Sequence, residues 1–154
     1  MTCRERLEAY FRENHVPFQV TWHPIAYTAQ EVAAAEHVSG YLVAKPVMAW
    51  AGDQMVMVVL TAPQRLDLAK LQQATGKPTR LAEEAEFAPA FPDCEVGAQP
   101  PFGNLYGIPV YADRALEADP EIVFRCGSHR ETMRIPYTDF KRLVQPTIGD
   151  FAQT

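Results

Sequence analysis

Few residues in this chain point to covalent staples, membranes or metals. Cysteine occurs only as Cys3, Cys94 and Cys126 among 154 residues. An odd number with no C-x-x-C pair argues against a disulfide framework and for a reducing compartment, so a cytoplasmic location is expected. The N-terminus carries Arg4, Glu5, Arg6 and Glu8 in place of an apolar stretch, so no secretory signal is expected in it. No apolar run approaches the roughly 20 residues that span a bilayer, so no membrane partner is expected. The four histidines share no zinc-site spacing, and no metal site is expected. There is no G-x-S-x-G elbow, no P-loop and no dinucleotide fingerprint. A basic excess is missing too: 14 basic and 19 acidic residues leave a net charge of −5. A general nucleic-acid binder shows the opposite balance. Any nucleic acid is therefore gripped over a small part, and DNA is not an expected partner.

What the chain does have is proline, 13 residues of it, mostly in the second half. The segment Gly97-Ala98-Gln99-Pro100-Pro101-Phe102-Gly103 brackets a diproline and an aromatic ring between two glycines. Glycine permits close backbone approach and proline fixes φ, so this loop reads as one rigid shape. The length suits a single domain over 1–154 that buries roughly two thirds of its unfolded surface.

Thr2-x-x-Glu5 is a capping box opening a helix over about 3–14. Phe18, Val20 and Trp22 alternate with polar residues as in a strand. Thr28-x-x-Glu31 opens a second helix through about His37, and Gly40 closes it. Tyr41 to Trp50 and Met55 to Leu60 read as a buried hairpin around Ala51–Gln54. Asp67 caps a helix through Thr75, and Glu83 to Phe87 forms a short one. Ile108–Tyr111, Ile122–Cys126 and Thr132–Ile135 are expected strands, followed by a helix over 138–144. The tail after 145 reads as loose. The fold class is mixed α/β: a twisted mixed sheet flanked by helices.

Three segments carry candidate chemistry. Lys45 sits in an otherwise apolar strand, where losing solvation is costly unless an anion is near. The alternative is an outward lysine on an edge strand, which Pro46 favours because it lacks a donor. Phe102 is suited to stack on a base, or equally to plug the core beneath its loop. Gly127-Ser128 is a hairpin turn whose amides suit an anion or oxyanion. His129 reads as a base, an orienting group or a surface residue. Cys94 lacks a nearby histidine, so an idle thiol is the simpler reading.

Thr28 with its helix, Ala44-Lys45, the Gly97–Gly103 loop, Gly127-Ser128-His129 and the Asp139-Phe140 helix occur in an order that resembles the YbaK-like family of aminoacyl-tRNA editing domains. These are relatives of the insertion domain of bacterial prolyl-tRNA synthetases. The resemblance covers about 5–145. It implies a partly barrel-like sheet and a trans-acting deacylase that hydrolyses the ester of a mischarged tRNA without a metal or organic cofactor. The implied partners are the tRNA acceptor end and an aminoacyl-tRNA synthetase. Lys45, Gly97, Gly103, Gly127, Ser128 and His129 are then expected at the catalytic centre, with Lys45 anchoring the acceptor end and backbone amides polarising the carbonyl. His23, Thr28, Pro101 and Phe102 are the expected substrate contacts. Pro46 stands where alanine-editing members carry Asn and cysteine-editing members carry Thr, so the amino acid removed stays open. A binding module for tRNA ends, a nucleotide or a synthetase, without turnover, is the competing reading.

Overall fold

The computed structural model describes all 154 residues. Helix α1 (Cys3–Glu13) starts where Thr2 Oγ1 accepts the Glu5 amide and the Glu5 carboxylate returns to the Thr2 amide. Its buried stripe is Cys3, Leu7 and Phe11, the i, i+4, i+8 spacing of an amphipathic helix. Strand β1 (Gln19–Trp22) follows. Helix α2 (Ala29–Ala35) begins at Thr28, whose hydroxyl accepts the Glu31 amide.

Strands β2 (Ala44–Ala51) and β3 (Gln54–Thr61) form the expected hairpin, with Lys45 opposite Leu60. Residues Gly40–Leu42 are a 3₁₀ turn, so β2 starts three residues later than the apolar run suggested. The remaining elements are α3 (Leu68–Thr75), β4 (Thr79–Leu81), α4 (Glu84–Phe87), β5 (Val110–Asp113), β6 (Glu121–Arg125), β7 (Glu131–Pro136), α5 (Tyr137–Val144) and β8 (Thr147–Gly149).

These strands make two sheets. One is antiparallel, in the order β1-β7-β6. The other is mixed, in the order β4-β2-β3-β5-β8, with β3-β5 and β5-β8 parallel. A parallel bridge between Val43 and Val123 joins the sheets, two residues before Lys45. The fold is the expected mixed α/β arrangement with helices flanking the sheets, but no barrel closes. Strand β4 pairs only with Ala49–Ala51, leaving the Lys45-Pro46 end of β2 without a partner on that side. Proline costs no ladder bond there.

The main core is aromatic. Phe102 is fully buried, with ring centroids 5.4 Å from Phe11, 5.3 Å from Phe124 and 5.7 Å from Phe140, all edge-on. Residues Ala98 to Gly103 are all buried. The expectation that Pro101 and Phe102 present side chains to a substrate is therefore corrected. Apolar burial and edge-to-face packing hold the Phe102 ring inward, in the core-plug role. Gly103 allows this dense packing, since a Cβ there would lie 2.8 Å from the Ile108 carbonyl oxygen.

The tail is corrected as well. β8 pairs with β5 in register Ala112↔Ile148, and Phe151 is buried. The Phe151 amide donates to Asp113 Oδ2 at 2.9 Å, and the Asp67 amide donates to the Phe151 carbonyl at 2.8 Å. A three-residue strand has no periodicity to read, and its backbone partners lie far away in sequence.

Candidate functional site

Lys45 and Thr28 line one cleft of about 240 Å³, together with Gln64 and Arg65. The Lys45 ammonium donates to the Ala62 carbonyl at 2.9 Å and to the Gln64 carbonyl. The loop bearing those carbonyls is itself held. Gln64 Oε1 accepts the Thr61 amide at 2.9 Å, and Gln64 Nε2 donates to the buried Asp113 carboxylate at 3.1 Å. Asp113 also takes the Ala115 amide, so its charge is well satisfied. Burial, and after it the Arg65 guanidinium, hold the Lys45 ammonium below its ordinary range. No carboxylate lines this cleft. Two uncompensated cations are thus concentrated here in a chain of net charge −5.

His129 marks a wall next to this cleft. Its ring lies 4.9 Å from that of Tyr27, the residue before Thr28. Its Nε2–H donates to the Val96 carbonyl at 2.9 Å, and Arg125 Nη1 approaches Nδ1 at 3.5 Å. Arg125 also donates to the Tyr27 carbonyl at 2.5 Å, and burial lowers its pKa. Both ring nitrogens of His129 are directed into the protein. Gly97 lies beside this ring at φ +84°, a backbone angle that favours glycine. The Gly97 and Ser128 amides find no acceptor within the protein.

Gly127 and Ser128 face elsewhere. They line a second cavity of about 290 Å³ with Cys3, Asp93, Glu95 and Glu131. Gly127 has φ +103°, and a Cβ there would lie 2.5 Å from that of Cys3, so both backbone angle and space demand glycine. Beneath this turn Cys3, Asp93 and Cys94 converge. The Cys94 thiol, followed by the Tyr106 hydroxyl, holds Cys3 below the usual thiol range, and the same pairing pushes Cys94 up. These are the residues best placed to hold a metal.

His23 is corrected from a substrate contact to a structural one. Its side chain is 2% exposed, with Nδ1–H donating to the Pro24 carbonyl at 2.6 Å and Nε2 at 3.6 Å from Glu36 Oε2. Glu36 in turn accepts the Thr132 hydroxyl, so the group ties the end of β1 to the end of α2. Sequence reasoning missed Tyr27, Gln64, Arg65, Asp113 and Arg125. An isolated Gln, Arg or Asp in a loop or at a strand end carries no signal of its own. Only the unpaired charge of Arg65 beside Lys45 marks it, and that needs the fold.

The two-sheet fold and this site define a class. Residues 23–143 match the family model of the aminoacyl-tRNA editing domain, and the chain belongs to that family. Among curated relatives, a proline--tRNA ligase of Thiobacillus denitrificans (strain ATCC 25259 / T1) is 32% identical over 124 residues, covering 79% of this chain and 21% of the ligase. The multifunctional Ser/Thr-tRNA deacylase ProXp-y of Escherichia coli (strain K12) is 32% identical over 104 residues, covering 66% of this chain and 62% of the enzyme. The chain thus spans about a fifth of the first and under two thirds of the second. Two solved structures share the fold. A candidate trans-editing enzyme for prolyl tRNA synthetase superposes with TM-score 0.85 at 22% identity, covering 100% of this chain and 99% of its own. The hypothetical protein APE2540 superposes with TM-score 0.87 at 19% identity, covering 96% and 99%. No helix is long and apolar enough to cross a membrane.

Proposed function

We propose that the protein is a trans-acting aminoacyl-tRNA deacylase that hydrolyses the ester linking a wrong amino acid to tRNA. The observation that carries this reading is the Lys45–Arg65 pair, two cations sharing a cleft that no carboxylate lines. Lys45 is half-buried and donates to carbonyls that compensate its charge poorly, so a phosphate entering the cleft gains a charge-assisted partner. The substrate is anchored by the last phosphates of the acceptor end, a footprint small enough for an acidic chain. Family membership and the named activities of the relatives support the reaction class.

The ester lies toward the wall of His129 and Gly97. The Gly97 amide is the available donor for the carbonyl, and a positioned donor of this kind contributes roughly 3–4 kcal/mol to a hydrolytic transition state. His129 orients the wall and is not the base, because its ring nitrogens already engage Val96 and Arg125. A water attacks, assisted by the neighbouring ribose hydroxyl of the substrate, so no protein nucleophile is required. An aminoacyl-tRNA synthetase is the expected partner in delivery. A panel of mischarged tRNAs tests this, with wild-type protein and Lys45→Ala side by side. Hydrolysis of at least one ester that falls sharply in the variant is expected. Undiminished hydrolysis by Lys45→Ala overturns the mechanism, and binding without hydrolysis of any ester turns the reading to a binding module.

A further inference from the structure

We propose that Cys3, Asp93 and Cys94 form a binding site for a thiophilic divalent cation of the zinc class. One ligand atom from each lies within 4.8 Å of the others. Small side-chain rotations bring such atoms to the roughly 2.0–2.3 Å of zinc–sulfur and zinc–oxygen bonds. A fourth donor converges independently: the Tyr106 hydroxyl is 3.7 Å from each sulfur and donates to Asp93 Oδ1 at 2.9 Å. Two sulfurs, a carboxylate and a phenol or water suit the tetrahedral, borderline-soft preference of zinc. Arg6 Nη1 stands 3.7 Å behind Asp93 Oδ2, where it orients the carboxylate and offsets the anionic ligand set.

The site is both built and reachable. Cys3 is 2% exposed, while the second cavity, of about 290 Å³, opens onto Cys3 and Asp93. Cys126 lines the same cavity, but its sulfur turns to Glu131 Oε2 at 3.9 Å and stands outside the convergence. On binding, each thiol releases its proton to solvent and gives a sulfur lone pair to the cation, with no redox change. The cation joins the first turn of α1 to the segment that runs into the Gly97–Gly103 loop, directly under the Gly127 turn. It acts as a clamp on the wall of the hydrolytic site, away from the ester itself.

Cobalt(II) titration of the fully reduced chain is the test. A single saturable equivalent is expected, with thiolate-to-cobalt absorption in the near ultraviolet, visible bands of a tetrahedral ion, and displacement by zinc. Cys94→Ser, at a partly buried position, lowers the affinity by more than the roughly 10–100-fold produced by loss of an outer-shell partner. Asp93→Asn lowers it as well, whereas Cys126→Ser leaves the spectrum intact. Zinc raises the melting temperature of wild type and of Cys126→Ser, and leaves that of Cys94→Ser unchanged. Absence of saturable cobalt absorption in reduced protein overturns the proposal. So does equal affinity in Cys94→Ser, or a Cys3–Cys94 disulfide forming in air from protein that binds no cobalt when reduced.

Discussion

Two cavities of this molecule, the cleft at Lys45 and the one under Gly127, carry opposite charge. The cleft around Lys45 has Lys45 and Arg65 and no carboxylate, whereas the cavity under Gly127 has Asp93, Glu95 and Glu131 against Arg4 alone. A phosphate is attracted to the first and repelled by the second, since both signs of interaction strengthen where water is partly excluded. The difference teaches that a glycine-serine turn is not an anion site merely because its amides are exposed. The charges facing it decide. It also separates the roles of three segments that the sequence joined in one pocket. Lys45 and Thr28 belong to the cationic cleft, Gly127 and Ser128 to the acidic cavity, and Gly97 and His129 to the wall by Tyr27.

The largest expected effect tests packing against chemistry. Asp93 and Glu95 lead into the segment that ends at Phe102, a core residue. Phe102→Ala is expected to cost about 3–5 kcal/mol of stability in denaturant unfolding. A variant of unchanged stability that loses only substrate affinity would restore Phe102 as a contact and blur the distinction between wall and core. Next comes Lys45→Ala, with kcat/KM on a cognate mischarged tRNA falling about 100-fold through lost positioning. Arg65→Gln is expected to lower kcat/KM by about 10-fold, mainly through KM, by removing one charge-assisted contact. Its salt dependence should become shallower, since fewer phosphate contacts release fewer counterions.

The pH profile sharpens the same contrast. Burial and Arg65 hold Lys45 below its ordinary pKa of 10.5. The ammonium is present below the lowered value and lost as pH rises through it. Affinity for the acceptor end should therefore decline at lower pH than an ordinary lysine would dictate. Lys45→Arg keeps its charge and should move that alkaline limb upward. The smallest effect is expected in the acidic cavity: Glu131→Gln should change KM less than about two-fold. A marked gain in affinity there would show that phosphate does approach this side, and the comparison would fail.

Much of the fold was legible. The Thr2 and Thr28 caps, the apolar spacing of α1 and the hairpin of β2 and β3 depend on neighbours within a few residues, so local pattern suffices to read them. Strand β4 and strand β8 were not read, because three residues carry no period and their partners come from distant parts of the chain. Lys45 stood out as one charge in an apolar run. The resemblance alone puts His23 among the substrate contacts, whereas its pairing with Glu36 depends on a segment distant in sequence.

By itself, then, the sequence determined the helices, the central hairpin, the rigidity of the Gly97–Gly103 segment and the order of motifs that places the chain in its family. Only the tertiary structure decided where these motifs face. It turned Phe102 inward, set Arg65 beside Lys45, put the Gly127 turn in a cavity apart from the Lys45 cleft and brought Cys3 to Cys94 across 91 positions of chain. The physical reason is range. Capping and amphipathic spacing act over three or four residues, whereas burial and charge compensation depend on which distant segments share a wall.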